Sequence, residues 1–181
     1  VYELTLRGSF PIKYRVNGAQ HLRKTDSDEA GMLYCGVHLP LSSVFARGFL
    51  ELGAPPEFVL AAPHNITGDG RWIPAGLAEG FKAFPPGPAT LLRARTVLRE
   101  GGRLASMLDE AMGQPLQPQM MRLAGRLRAR VVLCWTEMDA TGTIAVTYVT
   151  APHPIPDTEE KVLANLAVLE DQRERIIGGL R

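Results

Sequence analysis

The sequence predicts a single α/β domain: a mostly parallel central sheet with an antiparallel edge hairpin, and helices on both faces. Three observations lead there. Four short apolar runs, Met32–Val37, Phe58–Ala62, Leu104–Leu108 and Val131–Trp135, are unbroken by polar residues and too short for helices. That is how strands buried on both faces read. Segments with helical spacing separate several of these runs, the alternation of a parallel sheet. Late in the chain, Thr143–Val149 alternates and follows the turn Asp139-Ala140-Thr141-Gly142, which pairs it with Val131–Trp135 as an antiparallel hairpin.

Taken in order, Ile12 to Val16 alternates modestly and reads as an edge strand, and the polar residues 23–30 read as a solvated turn. Met32–Val37 is the first core strand. Pro40 then breaks the chain, and Ser42 or Ser43 can cap a helix carrying Val44, Phe45, Phe49 and Leu52 on one face, ended by Gly53. Phe58–Ala62 is the second core strand. Pro63 to Pro88 is a long Gly- and Pro-rich loop, of the kind that usually serves function. Ala89 to Glu100 has helical spacing and stops at Gly101-Gly102, and Leu104–Leu108 is a core strand that delivers Asp109-Glu110 at its end. Gln119 to Arg128 reads as a helix and Val131–Trp135 as the fourth core strand. A last helix starts at Asp157, with Glu160 completing an Asp-x-x-Glu capping box, and runs through Val162, Leu163, Leu166, Leu169 and Ile176 to Gly178-Gly179.

The 181 residues suffice for one domain, 1–181, and are too few for two comfortable ones. A net charge of +1 gives no whole-molecule field for nucleic acid. Cys35 and Cys134 each sit in an apolar run, and with histidines scattered singly no spacing fits a metal site. Two buried, reduced thiols in a cytoplasmic-type protein are the expectation. No run approaches the length needed to cross a bilayer. Because the chain starts at Val1, loss of an N-terminal anchor or signal stays open. Glycine-rich phosphate loops are absent, and no cofactor is expected.

His38 ends the first core strand and faces the start of a helix, the usual place for chemistry in an open α/β sheet. Histidine exchanges a proton near neutral pH, which few side chains do; a histidine that merely satisfies a backbone group is the competing reading. Asp109 ends another core strand, so it should open onto the same crevice, although a turn acid is an equal alternative. Ser42 and Ser43 read first as helix caps, with no nucleophile elbow around them. The arginines between Arg93 and Arg130 can form a phosphate-binding patch or simply a solvated face.

The order of these pieces resembles the lysophospholipid acyltransferase superfamily, and within it the bacterial lipid A biosynthesis (lauroyl/myristoyl) acyltransferases. Four segments carry the likeness: Arg15-Val16-Asn17-Gly18-Ala19-Gln20-His21-Leu22; the strand ending in Gly36-Val37-His38; Leu98 through Asp109 around Gly101-Gly102; and Met121-Arg122-Leu123-Ala124 through Val131-Val132-Leu133. The family motif is His-x4-Asp or His-x4-Glu, in which the histidine deprotonates an acceptor hydroxyl and the acid orients the imidazole. Here His38 matches, but Ser43 stands at the acid position and Glu110 where the family usually has Gln. A hydroxyl cannot support an imidazolium as a carboxylate does, and Glu51 lies roughly 12 Å further along the same helix. Asp109 or Asp69 would have to reach His38 through the fold.

The resemblance implies an enzyme moving a fatty acyl group from an acyl-carrier-protein or coenzyme A thioester to a hydroxyl of a lipid or glycolipid. His38 would be the general base, with Asp109 and Ser43 as the other catalytic candidates and Arg71, Arg103 and Glu110 as substrate-binding candidates. Peripheral contact with the inner membrane would follow from such an acceptor. The alternative is a catalytically inactive member of the fold that binds an acyl chain or a partner protein. A thioesterase or hydrolase using Ser42 or Ser43 is a more distant third.

Overall fold

The structure is a computed structural model that describes residues 13–24, 30–42, 49, 58–60, 83–84 and 88–179. The expectations that fall on Ser43, Glu51, Asp69, Arg71, the helix after Ser43 and most of the 63–88 loop lie outside the described residues. Seven strands form one sheet: β1 (Tyr14–Asn17), β2 (Met32–Gly36), β3 (Phe58–Leu60), β4 (Ala83–Phe84), β5 (Arg103–Met107), β6 (Arg130–Met138) and β7 (Ile144–Thr150). Their order across the sheet is β1-β7-β6-β2-β5-β3-β4. All neighbours run parallel except β6 and β7, the antiparallel pair. The α-helices are α1 (Pro88–Arg99), α2 (Gln119–Arg126) and α3 (Glu159–Gly178), with a 3-10 turn at Ala19–Leu22.

Each of the four apolar runs holds a strand, and β2, β5 and β6 are buried along most of their apolar residues, as double-sided coverage demands. In β2 every residue is buried, and β2 is the central strand between β6 and β5. One face of the sheet presents Leu33, Cys35, Leu104, Val131 and Leu133 to α1, α2 and α3, which contribute Ala94, Leu98, Met121, Val162 and Leu169. The other face presents Met32, Tyr34, Val132 and Cys134 to Leu22 of the 3-10 turn and to the Phe49 ring. Phe49 stacks edge-on against Tyr34, with centroids 4.8 Å apart, and tilts on Tyr148 at 5.2 Å.

Several details differ from expectation. The β6–β7 hairpin is not terminal, because β1 adds in parallel to the outer side of β7, with Tyr14 opposite Ile144. Gly18 lets β1 turn there: its φ is +77°, and a Cβ would sit 1.9 Å from the Tyr148 carbonyl oxygen. Strand β4, inside the stretch expected as loop, is a two-residue addition to β3. Helix α3 is capped by Thr158 instead of Asp157: the Thr158 hydroxyl accepts from the Lys161 N–H at 3.4 Å, and Asp157 pairs with Lys161 Nζ at 2.6 Å. Both residue types can cap, and the one in extended backbone (Thr158, φ −126°, ψ 157°) takes the position. No described helix is long and apolar enough to cross a membrane.

Candidate functional site

Strands β2 and β5 are hydrogen-bonded neighbours in fixed register, Met32 opposite Arg103 through Gly36 opposite Met107. His38 and Asp109 each lie two residues beyond the last pair. Neighbouring strands run about 4.8 Å apart, so equal overhangs put the two side chains within reach of each other. The ladder persists past the strand ends, since the Leu108 N–H donates to the Gly36 carbonyl at 2.9 Å. A turn closes over the same edge, with the Gln117 N–H donating to the Leu108 carbonyl at 2.5 Å.

The structure thus brings His38 and Asp109 together at the carboxyl edge of the central strands. His38 Nδ1 lies 2.9 Å from Asp109 Oδ1, and the His38 backbone N–H donates to the same oxygen at 2.9 Å and to Oδ2 at 3.2 Å. An ionised carboxylate only accepts, so Nδ1 carries the ring proton that it donates, leaving the Nε2 lone pair free for chemistry. The carboxylate therefore grips one residue by its main chain and its ring, fixing both the tautomer and the rotation of the imidazole. The Asp109 side chain has no exposed surface, whereas that of His38 keeps 18% of its own. A buried acid holding a partly open imidazole is chemically able to pass a proton between the ring and a group on its open side.

A third member was not foreseen. Arg173 of α3 is buried, and its Nη1 lies 3.9 Å from Asp109 Oδ2 and donates to the Gln114 carbonyl at 2.6 Å. Its Nη2 pairs with Glu170 one turn back. The sequence does hold a signal for it. The core-facing stripe of α3 runs Val162, Leu166, Leu169 and on to Ile176, and the position between the last two is Arg173. A cation on an apolar stripe needs a buried partner.

The remaining candidates divide. Glu110 follows Asp109 at the same edge and is exposed. Arg103 opens β5 opposite Met32, so it sits at the amino end of the strands, the edge remote from His38. Over four residues at about 3.3 Å each the separation exceeds ten ångströms, so Arg103 is not brought together with His38 and Asp109. Ser42 is half-buried, its backbone N–H donating to the Leu39 carbonyl at 3.0 Å. Ser43 and Arg71 lie outside the described residues.

Neither cysteine is a nucleophile at this site. Both are buried and free, and burial pushes the Cys134 thiol up to about 12 and the Cys35 thiol well above its ordinary range, the Cys134 thiol nearby adding to the latter. Among the described residues no group of three or more His, Cys, Asp or Glu side chains is placed to hold a metal ion. No protein-family model matches the chain, and no curated protein matches it in sequence.

Proposed function

We propose that the chain is an acyltransferase that moves a fatty acyl group from an acyl-carrier-protein or coenzyme A thioester to a hydroxyl of a lipid or glycolipid. His38 is its general base, and Asp109 is the acid that orients His38. The observation that carries this reading is the double grip of Asp109 on His38, at 2.9 Å to both ring and backbone nitrogen. The neutral Ser43 at the motif's acid position favours an inactive acyl-binding fold only where no other carboxylate meets His38. Asp109 supplies a carboxylate from a neighbouring strand instead, so the missing acid no longer weighs against activity.

In the reaction, His38 Nε2 takes the proton of the acceptor hydroxyl as its oxygen attacks the thioester carbonyl carbon. The imidazolium that forms is held against the Asp109 carboxylate. As the tetrahedral intermediate collapses, the C–S bond breaks and the imidazolium returns its proton to the leaving sulfur, releasing ester and thiol. A lipid acceptor carries with it peripheral contact with the inner membrane.

The test is thiol release from a long-chain acyl thioester, with and without a lipid or sugar hydroxyl acceptor. Acceptor-dependent release by the wild type and its loss in a folded His38→Ala protein are expected. Equal release by the two would overturn the proposal.

A further inference from the structure

The unforeseen contact of α3 with the site suggests a specific role, which rests on the acyl-transfer reading above. We propose that Arg173 is the positioning residue of the His38–Asp109 pair, acting on the imidazole through the carboxylate and never touching substrate.

Three observations converge on it. First, Asp109 is a carboxylate with no exposed surface, and before a proton reaches His38 the ring brings no positive charge. Among the described residues, the Arg173 guanidinium faces it in that state, with Nη1 3.9 Å from Oδ2. Second, the division of labour between the oxygens is asymmetric. Oδ1 takes the His38 ring and backbone N–H groups at 2.9 Å, while Oδ2 has the longer 3.2 Å backbone contact and faces the guanidinium. An attraction on the Oδ2 side sets the rotation of the carboxylate, and so the direction in which Oδ1 meets Nδ1–H. Third, the same guanidinium is anchored on both sides, to the Gln114 carbonyl at 2.6 Å and to Glu170 on its own helix. Gln114 belongs to the turn that follows Asp109 and rejoins β5 through the Gln117–Leu108 hydrogen bond. Arg173 therefore ties α3, the turn after β5 and the catalytic carboxylate into one unit. A planar, five-donor fork can make these contacts together, and a lysine ammonium cannot reproduce that geometry.

A role through positioning differs from simple support of the fold in what it leaves intact. Misplacing the carboxylate should lower kcat while KM stays near wild type, because substrate contacts are not involved. An error of about 1 Å at such a site costs up to about 100-fold in rate.

The experiment compares wild type, Arg173→Lys and Arg173→Met in the full chain by steady-state kinetics. It adds the ¹⁵N–¹H spectrum of the His38 ring, assigned by its disappearance in His38→Ala. We expect the wild type to show a protected Nδ1–H proton. Arg173→Met should lose that protection and about 10- to 100-fold in kcat, with Arg173→Lys between the two and circular dichroism unchanged. If Arg173→Met fails to fold, Arg173→Lys carries the same test, since it keeps the charge and loses the fork. A folded variant with wild-type ring protection and wild-type kcat would overturn the proposal, and so would a loss of activity that merely tracks loss of folded protein. The spectrum reports on the ring without turnover, so failure of the acyl-transfer reading shows separately, as thiol release that survives His38→Ala.

Discussion

Replacing Asp109 with Asn isolates what the carboxylate charge contributes. The amide has nearly the same shape, and its oxygen has one favourable place. At the Oδ1 position it accepts both His38 N–H groups, each at 2.9 Å. Its NH₂ then takes the Oδ2 place, where it gives up the 3.2 Å contact with the His38 N–H and faces Arg173. The opposite orientation sets the NH₂ against that N–H at the closer 2.9 Å. So placed, Asn keeps the ring proton on Nδ1 and removes the negative charge that supports the imidazolium, together with the longer Oδ2 contact. Charge centres about 4 Å apart, at an effective dielectric constant of about 20, interact by about 4 kcal/mol. At about 1.4 kcal/mol per factor of ten, Asp109→Asn should lower kcat by about 10³, with KM little changed. That is less than the loss of about 10⁴ in a serine protease, where the same exchange also installs the wrong tautomer. The assay is thiol release from the acyl thioester under saturating acceptor, corrected for folded protein by near-UV circular dichroism. A variant within threefold of wild type would refute the argument, because the carboxylate would then do nothing in the transition state.

Two further expectations concern Ser43 and the thiols. Ser43→Asp should change acyl transfer by less than about threefold, because Asp109 already holds Nδ1 and a second acid has no partner to orient; a rise of a hundredfold would mean that the Asp109 contact does not operate. Cys35 and Cys134 should stay unreactive toward a thiol reagent at pH 8 in the native protein and both react in denaturant. The pH dependence follows in sign: a thiol raised by folding is protonated in the native state while the unfolded chain has lost its proton. Stability is therefore full below the ordinary thiol range and falls as pH rises from there toward about 12 for Cys134. Denaturant midpoints that are flat or rising over that interval would contradict the burial argument.

Much of this was legible in the residues, and the exceptions have physical reasons. Met32–Val37 and Leu104–Leu108 read as doubly buried strands, and their ends marked the candidate site. The acid that meets the His38 ring, however, is 71 positions away. Composition carries no register, so the choice between Asp109 and other acids required the β2–β5 pairing. Strand β6 extends three residues past the apolar run, to Met138, because Thr136, Glu137 and Met138 pair with Val146, Ala145 and Ile144 of β7. Its Thr136 hydroxyl is buried without a hydrogen-bond partner among the described residues, a cost that no pattern rule would choose. Arg103 read as a substrate contact by its place in a motif, yet its strand position sends it to the far edge of the sheet. Arg173 was present as a break in the apolar stripe of α3, and only the fold shows what that break faces.

The central claim, that His38 and Asp109 act as one catalytic unit, is tested most directly by a double-mutant cycle. kcat for acyl transfer would be measured in wild type, His38→Ala, Asp109→Asn and the double variant. If the carboxylate works only through the imidazole, the double variant should be no slower than His38→Ala alone. Losses that multiply, with the double variant slower than His38→Ala by the full factor of the Asp109→Asn change, would contradict the account.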